Sequence, residues 1–108
     1  MITVDGNLVI GAEIDGVVHQ AFSMRPATIA DAIAAIDKSG DRSSSNLTLR
    51  IFKIAEQIIS LGTLDKSEIT GELLLSLPED DIEPLFAKQD EVEKKRKGSK
   101  SASSLISS

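Results

Sequence analysis

Cysteine is missing from this chain, which excludes disulfides and thiolate metal sites and fits a cytosolic setting. Tryptophan and tyrosine are missing too, leaving Phe22, Phe52 and Phe86 as the aromatic side chains. Stacking platforms for single-stranded nucleic acid are therefore not expected. His19 is the sole imidazole. A histidine base or metal ligand needs company, so a structural or solvent-facing role is expected for it. No overall positive field exists: 12 Lys and Arg stand against 17 Asp and Glu, a net charge of −5 that disfavours nucleic acid as a partner. No apolar run approaches the roughly 20 residues of a membrane span. The N-terminus, MITVDGNLVIG, has no basic region ahead of a long apolar run, so no signal peptide is expected. The glycines at 6, 11 and 16 make no phosphate loop, because no Gly-Lys-Ser/Thr follows them.

What the chain does carry is apolar periodicity. The segment Asn46 to Gly62, NLTLRIFKIAEQIISLG, read as a helix over about 46–61, places Leu47, Ile51, Ile54, Ile58 and Leu61 on one face. Phe52, Ala55 and Ile59 widen that face well beyond the stripe of about 100° typical of a surface helix. Arg50, Lys53, Gln57 and Ser60 are left as a polar strip. Such a helix asks for packing partners on two sides, and a chain of 108 residues need not supply them all. Ahead of it, Leu8 to Ile14 and Val17 to Met24 flank Asp15-Gly16, a pair suited to a type I′ turn, predicting a hairpin over about 8–24. Asp5-Gly6 suggests a further turn after a short strand at Ile2 to Val4. Arg25-Pro26 ends the hairpin. Thr28 is a good N-cap, with Asp31 three residues on, for a helix over about 28–38 whose apolar stripe is Ile29, Ile33 and Ile36. Ser39 to Ser45 reads as a polar loop, Asn46 as the next cap and Gly62 as the residue closing that helix.

Beyond Gly62, helices are predicted over about 70–76, capped by Thr70, and 78–97. Ser76 and Glu79 have capping-box spacing. Pro84 either kinks a helix begun there or sits in the first turn of a separate one. Ile82, Leu85, Phe86 and Val92 share a face with Gln89. Acidic residues lead this helix and basic ones trail, as the macrodipole favours. Glu91–Lys95 and Glu93–Lys97 are i,i+4 pairs worth about 0.3 kcal/mol each. Residues 98–108, GSKSASSLISS, are low in complexity and expected to be disordered. The fold class expected is α+β: a small N-terminal β-hairpin followed by a mainly α-helical domain of three to four helices, one domain over residues 1–97.

Candidate chemistry is sparse. Glu79, Asp80, Asp81 and Glu83 lack the spacing of an EF-hand loop and read as a helix start. Lys94 to Lys97, with Lys100, form the one basic patch. It could touch phosphates weakly and in a salt-dependent way, but a solvated helix end is the more ordinary reading. Nothing resembles an activated serine or a carboxylate pair in an apolar pocket. No enzyme, cofactor or metal site is expected.

The order of elements carries a resemblance. A hairpin tipped by Asp-Gly leads into Arg25-Pro26-Ala27-Thr28-Ile29-Ala30-Asp31. A Ser/Gly loop follows, then an apolar helix ending in Ile58-Ile59-Ser60-Leu61-Gly62. Ile69-Thr70, a leucine turn, Leu77-Pro78-Glu79-Asp80-Asp81 and a closing helix ending in Glu93-Lys94-Lys95-Arg96 complete the series. Over roughly residues 8–97 the chain resembles the tail assembly chaperones of Mu-like, contractile-tailed phages and prophages. The resemblance implies an assembly factor in the host cell cytoplasm, absent from the mature virion. It would bind the tape measure protein and keep it soluble until the tail tube polymerises round it. A longer, frameshifted form of the chain is a further partner implied, and a homo-oligomer is left open. Membrane is not expected as a partner. The faces expected to meet the client are Leu47, Ile51, Phe52, Ile58, Ile59, Ile82, Leu85 and Phe86. The alternative is a generic homodimeric interaction module.

Overall fold

A computed structural model describes the backbone of residues 2–107 and the side chains of residues 2–98. The fold is α+β: an N-terminal hairpin, to which a third strand is added, followed by four helices. Strand β1 (Val4–Ile14) and β2 (Val17–Met24) are antiparallel, and β3 (Ile58–Leu61) pairs with the other edge of β2, giving the order β1-β2-β3. The Asp15-Gly16 turn has both residues at positive φ, 51° and 79°, as expected. Asp5-Gly6 makes no turn. It lies inside β1, where Gly6 pairs with Phe22 and a Cβ would stand 2.7 Å from that ring.

The hairpin is irregular where Leu8 to Gly11 oppose the single residue Gln20. Gly11, at φ 104°, supplies the backbone turn that this bulge requires. Side chains satisfy the freed backbone groups. The Asp81 carboxylate accepts from the Ile10 N–H at 2.8 Å and the Gly11 N–H at 2.9 Å. The Gln20 amide donates to the carbonyls of Val9 and Ile10 at 3.3 and 3.2 Å. Asp81 is thus buried for a structural purpose beyond the helix-start electrostatics predicted for its acidic run.

Helix α1 (Ile29–Ser39) starts as the sequence predicts: Thr28 accepts from the Asp31 N–H and Asp31 accepts from the Thr28 N–H, a full capping box. Its orientation is the reverse of that expected. Asp31, Ala35 and Ser39 face inward, while Ile29, Ile33 and Ile36 are 82%, 56% and 51% exposed. Arg25 fixes that rotation, donating to both Asp31 oxygens (2.7 and 2.9 Å) and to the Glu56 carbonyl of the next helix (2.9 Å).

Residues Gly40–Ser44 form a 3-10 turn in place of an open loop, and Ser45, not Asn46, caps α2 (Asn46–Gln57). The helix expected to reach residue 61 stops at Gln57. Ile58 to Leu61 instead pair with Phe22 to Met24, an extended course that suits two adjacent β-branched residues beside an open strand edge. Part of the surplus apolar width of the predicted helix is therefore a strand. Gly62 takes its positive φ of 57° beyond β3, beneath His19, whose Nδ1 accepts from the Thr63 N–H.

Thr70 caps the short α3 (Gly71–Leu75) as predicted. Ser76 and Glu79 form no capping box; the Ser76 hydroxyl donates back to the Leu73 carbonyl, and Pro78 leads a 3-10 turn at Glu79–Asp81. Helix α4 (Ile82–Ser107) begins one turn later, so Pro84 sits in its first turn without needing an N–H partner. Among the described residues its internal ion pairs are Lys88–Glu91 and Glu93–Arg96 at i,i+3 spacing, not the i,i+4 pairs expected. The helical course continues through Gly98 into the segment expected to be disordered; one glycine costs a formed helix only about 1 kcal/mol relative to alanine. Ser108, the end of that expected tail, lies outside the described residues. The core lies between the inner face of the sheet and helices α2 and α4, with Phe22, Met24, Ile54, Ile58, Leu61, Leu85 and Val92 buried.

Candidate docking groove

Besides its packing against α1, α2 meets its neighbours along two seams that differ in kind. On one side α2 meets α4 and the Arg25–Ala27 strap through polar groups. Gln57, fully buried and not on the exposed strip expected, donates to the Arg25 carbonyl at 3.0 Å and accepts from Gln89 at 2.9 Å. The Arg25 N–H returns a bond to the Gln57 carbonyl at 3.0 Å. Arg50 donates to Gln89 and Asp90 and lies 3.8 Å over the Phe86 ring. Glu93 accepts from the Ala27 N–H at 2.9 Å, and Arg96 donates to the Ala27 carbonyl at 2.6 Å. No buried side-chain nitrogen or oxygen among the described residues lacks a partner, so the seam is satisfied by polar bonds, with a polar hollow bordered by Arg50, Gln89, Glu93 and Arg96 open along it.

On the other side, α2, α3 and the start of α4 leave an apolar groove of about 250 Å³. Its floor is Ile51, Leu74 and Leu85, all buried, and its rim carries Leu47 and Leu75, 54% and 43% exposed. Leu77, Pro78 and Ile82 close one end. The local sequence explains the shape. Thr70 and the glycine after it start α3 against the Phe52 ring, where a Cβ at Gly71 would come within 2.3 Å. Five residues later the chain leaves the helix, so α3 is too short to cover the α2 face beside it.

Of the residues predicted to meet a client, the structure gathers Leu47, Ile51, Ile82 and Leu85 around this groove. Phe52 and Ile58 are core, at 1% and 0% exposure. Ile59 is exposed on β3, away from the groove, and Phe86 is roofed by Arg50. Leu73 to Leu75 were legible only as an apolar turn and Leu77 only as part of the Leu77-Pro78-Glu79 stretch after it; this run of leucines was the signal for a groove wall. Lys66, likewise unremarked in the sequence, donates to the Ala55 carbonyl at 2.7 Å and to that of Ile58, sealing the end of α2. Burial holds its ammonium below the usual lysine range.

Among the described residues no group of three or more His, Asp or Glu stands together in a metal-binding arrangement, and no helix is long and apolar enough to cross a membrane. The architecture defines a class, a small α+β domain with a polar seam on one side of α2 and an open, apolar groove on another. Compared with protein-family models, curated proteins and solved structures, the chain finds no match.

Proposed function

We propose that this chain is a tail assembly chaperone, a binding protein without catalytic activity that holds an apolar helical client, the tape measure protein, soluble in the host cytoplasm and leaves before the virion is complete. The observation that carries the proposal is the open groove between α2, α3 and α4, with Leu47 and Leu75 exposed on its rim. A groove of this kind suits the helix-in-groove mode, in which an amphipathic helix lays apolar residues into a hydrophobic cleft. The order of motifs from Arg25 to Arg96 gives the client its identity, and the net charge of −5 favours solubility of the loaded complex.

Co-expression with the long, coiled-coil-rich reading frame expected beside this one tests the proposal. The long chain should become soluble and co-purify. Leu75→Glu should abolish co-purification and leave the thermal melt unchanged, because Leu75 is a rim residue. Ile58→Glu should unfold the domain, since Ile58 has no exposed surface. An insoluble long chain that never co-purifies with the wild type would sink the proposal. The homodimeric module is then favoured by the charge-free stripe Ile29, Ile33 and Ile36, an unpartnered helix face that a second copy can cover.

A further inference from the structure

We infer that the segment this groove receives is a cationic amphipathic helix. The inference rests on the docking role proposed above and adds the chemistry of the occupant. It starts from the extent of the apolar surface. Past Leu77 and Pro78 lies a second hollow of about 310 Å³, lined by Ile10, Ile14, Val18 and Leu73, and the two hollows share Leu77 and Pro78 as a common ridge. Ile10 and Val18 are 47% and 52% exposed. The two hollows thus adjoin across that ridge, a trough in two parts from Leu47 to the distal half of the hairpin.

Its charge is of one sign. The acids lining the trough are Glu13 and Glu79, both exposed, and Asp81, whose buried carboxylate is taken up by the Ile10 and Gly11 N–H groups; no lysine or arginine lines either hollow. Asp80 and Glu83 stand beside it, exposed. Glu13, Glu79, Asp80 and Glu83 have no ion-pair partner among the described residues, so no basic side chain of the chain offsets their charge there. Unpaired acids above an apolar floor complement a helix whose apolar stripe is bordered by lysine and arginine, and they repel one bordered by acids. A strand is excluded as the occupant at the ridge. The β1 groups that it would bond, the N–H of Ile10 and of Gly11, already donate to Asp81. A helix brings its own backbone hydrogen bonds and needs none from the trough.

The test uses the full chain and synthetic helical peptides of about 15 residues or more. One carries leucines at i, i+3, i+4 and i+7 with lysines elsewhere; a second replaces the lysines by glutamates; a third is residues 94–108 of this chain. The leucine–lysine peptide should bind at least about tenfold more tightly than the leucine–glutamate one, and less tightly as salt rises. Leu47→Glu and Leu75→Glu should weaken its binding despite making the protein more acidic, whereas indiscriminate charge attraction would strengthen it. Glu79→Lys should narrow the gap between the two model peptides. Equal binding of both model peptides overturns the inference. So does tighter binding by residues 94–108, which assigns the trough to a second copy of the chain. The two proposals fail separately. Peptide binding with no co-purified tape measure protein removes the chaperone role alone. A co-purified client insensitive to salt and to Glu79→Lys removes only the cationic helix.

Discussion

Helices α1 and α2 both carry isoleucines at helical spacing, and they treat them in opposite ways. In α2, Ile51 and Ile54 are buried, with Ile58 completing the set as the first residue of β3. In α1, Ile29, Ile33 and Ile36 point to solvent, and the inward face is Asp31, Ala35 and Ser39. The difference lies in how each helix is tied. Helix α2 is held by the apolar core on which it lies. Helix α1 is held by a polar anchor at its first turn, the Arg25–Asp31 pair, which also grips the Glu56 carbonyl of α2, and by the exposed Lys38–Glu56 pair at its last turn. Turning the isoleucines inward would carry Asp31 out of reach of Arg25 and unpair a carboxylate and a guanidinium, a loss that part-burial makes worse. Small side chains at 35 and 39 then let α1 approach α2 closely. An ion pair can thus choose which face of a helix is buried, against the apolar pattern of that helix.

Truncation gives the largest contrast. Ile54→Ala should cost about 2–5 kcal/mol, for it removes buried methyl groups and leaves a cavity. Ile33→Ala should change stability by about 0.5 kcal/mol or less, since the exposed isoleucine gives way to the best helix former. Urea unfolding of the two variants side by side decides the matter. Similar costs would mean that α1 packs its isoleucines after all. Next comes the anchor. Asp31→Ala should cost about 2 kcal/mol, less than a fully buried pair because Arg25 is 30% exposed. The same group makes stability depend on pH. Hydrogen bonds from the Arg25 guanidinium, aided by the Thr28 N–H and opposed by burial, hold the Asp31 carboxyl below its usual range. In the window between its lowered value and the ordinary value of about 4, the unfolded chain binds the proton more readily. The stabilisation is therefore complete above that ordinary value and is lost as pH falls through the lowered one. Urea midpoints followed downward from about pH 6 should fall more steeply for the wild type than for Asp31→Ala.

What the sequence made legible was local. The Asp15-Gly16 turn, the caps at Thr28 and Thr70 and the helical face of Leu85, Gln89 and Val92 depend on neighbours within a turn or two. The pairings decided at long range were hidden. Ile58-Ile59 continue an unbroken apolar helix pattern, and nothing near them announces that the open edge of β2 is the better partner. Gln57 looks like a surface residue until Gln89 and the Arg25 carbonyl arrive from segments more than 30 positions away. Half of the groove was legible for the same reason. Leu47 and Ile51 belong to one helix and Ile82 and Leu85 to another, whereas Leu74, Leu75 and Leu77 acquire their role only when α3 stops short.

Asp81 sharpens the contrast between anchored and packed elements on the hairpin. Asp81→Ala should cost about 1–3 kcal/mol, because the N–H groups of Ile10 and Gly11 lose their acceptor where the bulge denies them a strand partner. Asp80→Ala, one residue away and exposed, should be silent. Amide hydrogen exchange at Ile10 and Gly11 should quicken in the first variant alone.

The smallest effect expected is at Thr28. Its hydroxyl accepts from the Asp31 N–H at 3.2 Å, while Asp31 returns a bond to the Thr28 N–H at 2.8 Å. Thr28→Ala removes the first bond and leaves the second, along with both Arg25 contacts. The cost should be about 1 kcal/mol, at the middle of the range for a lost N-cap. Combining it with Asp31→Ala separates cap from anchor. If the two act as one unit, the double variant should be barely less stable than Asp31→Ala alone, since the hydroxyl caps a turn that Asp31 no longer closes. If the costs add, Thr28 caps α1 independently, and the rotation of the helix is set by Arg25 and Asp31 without it.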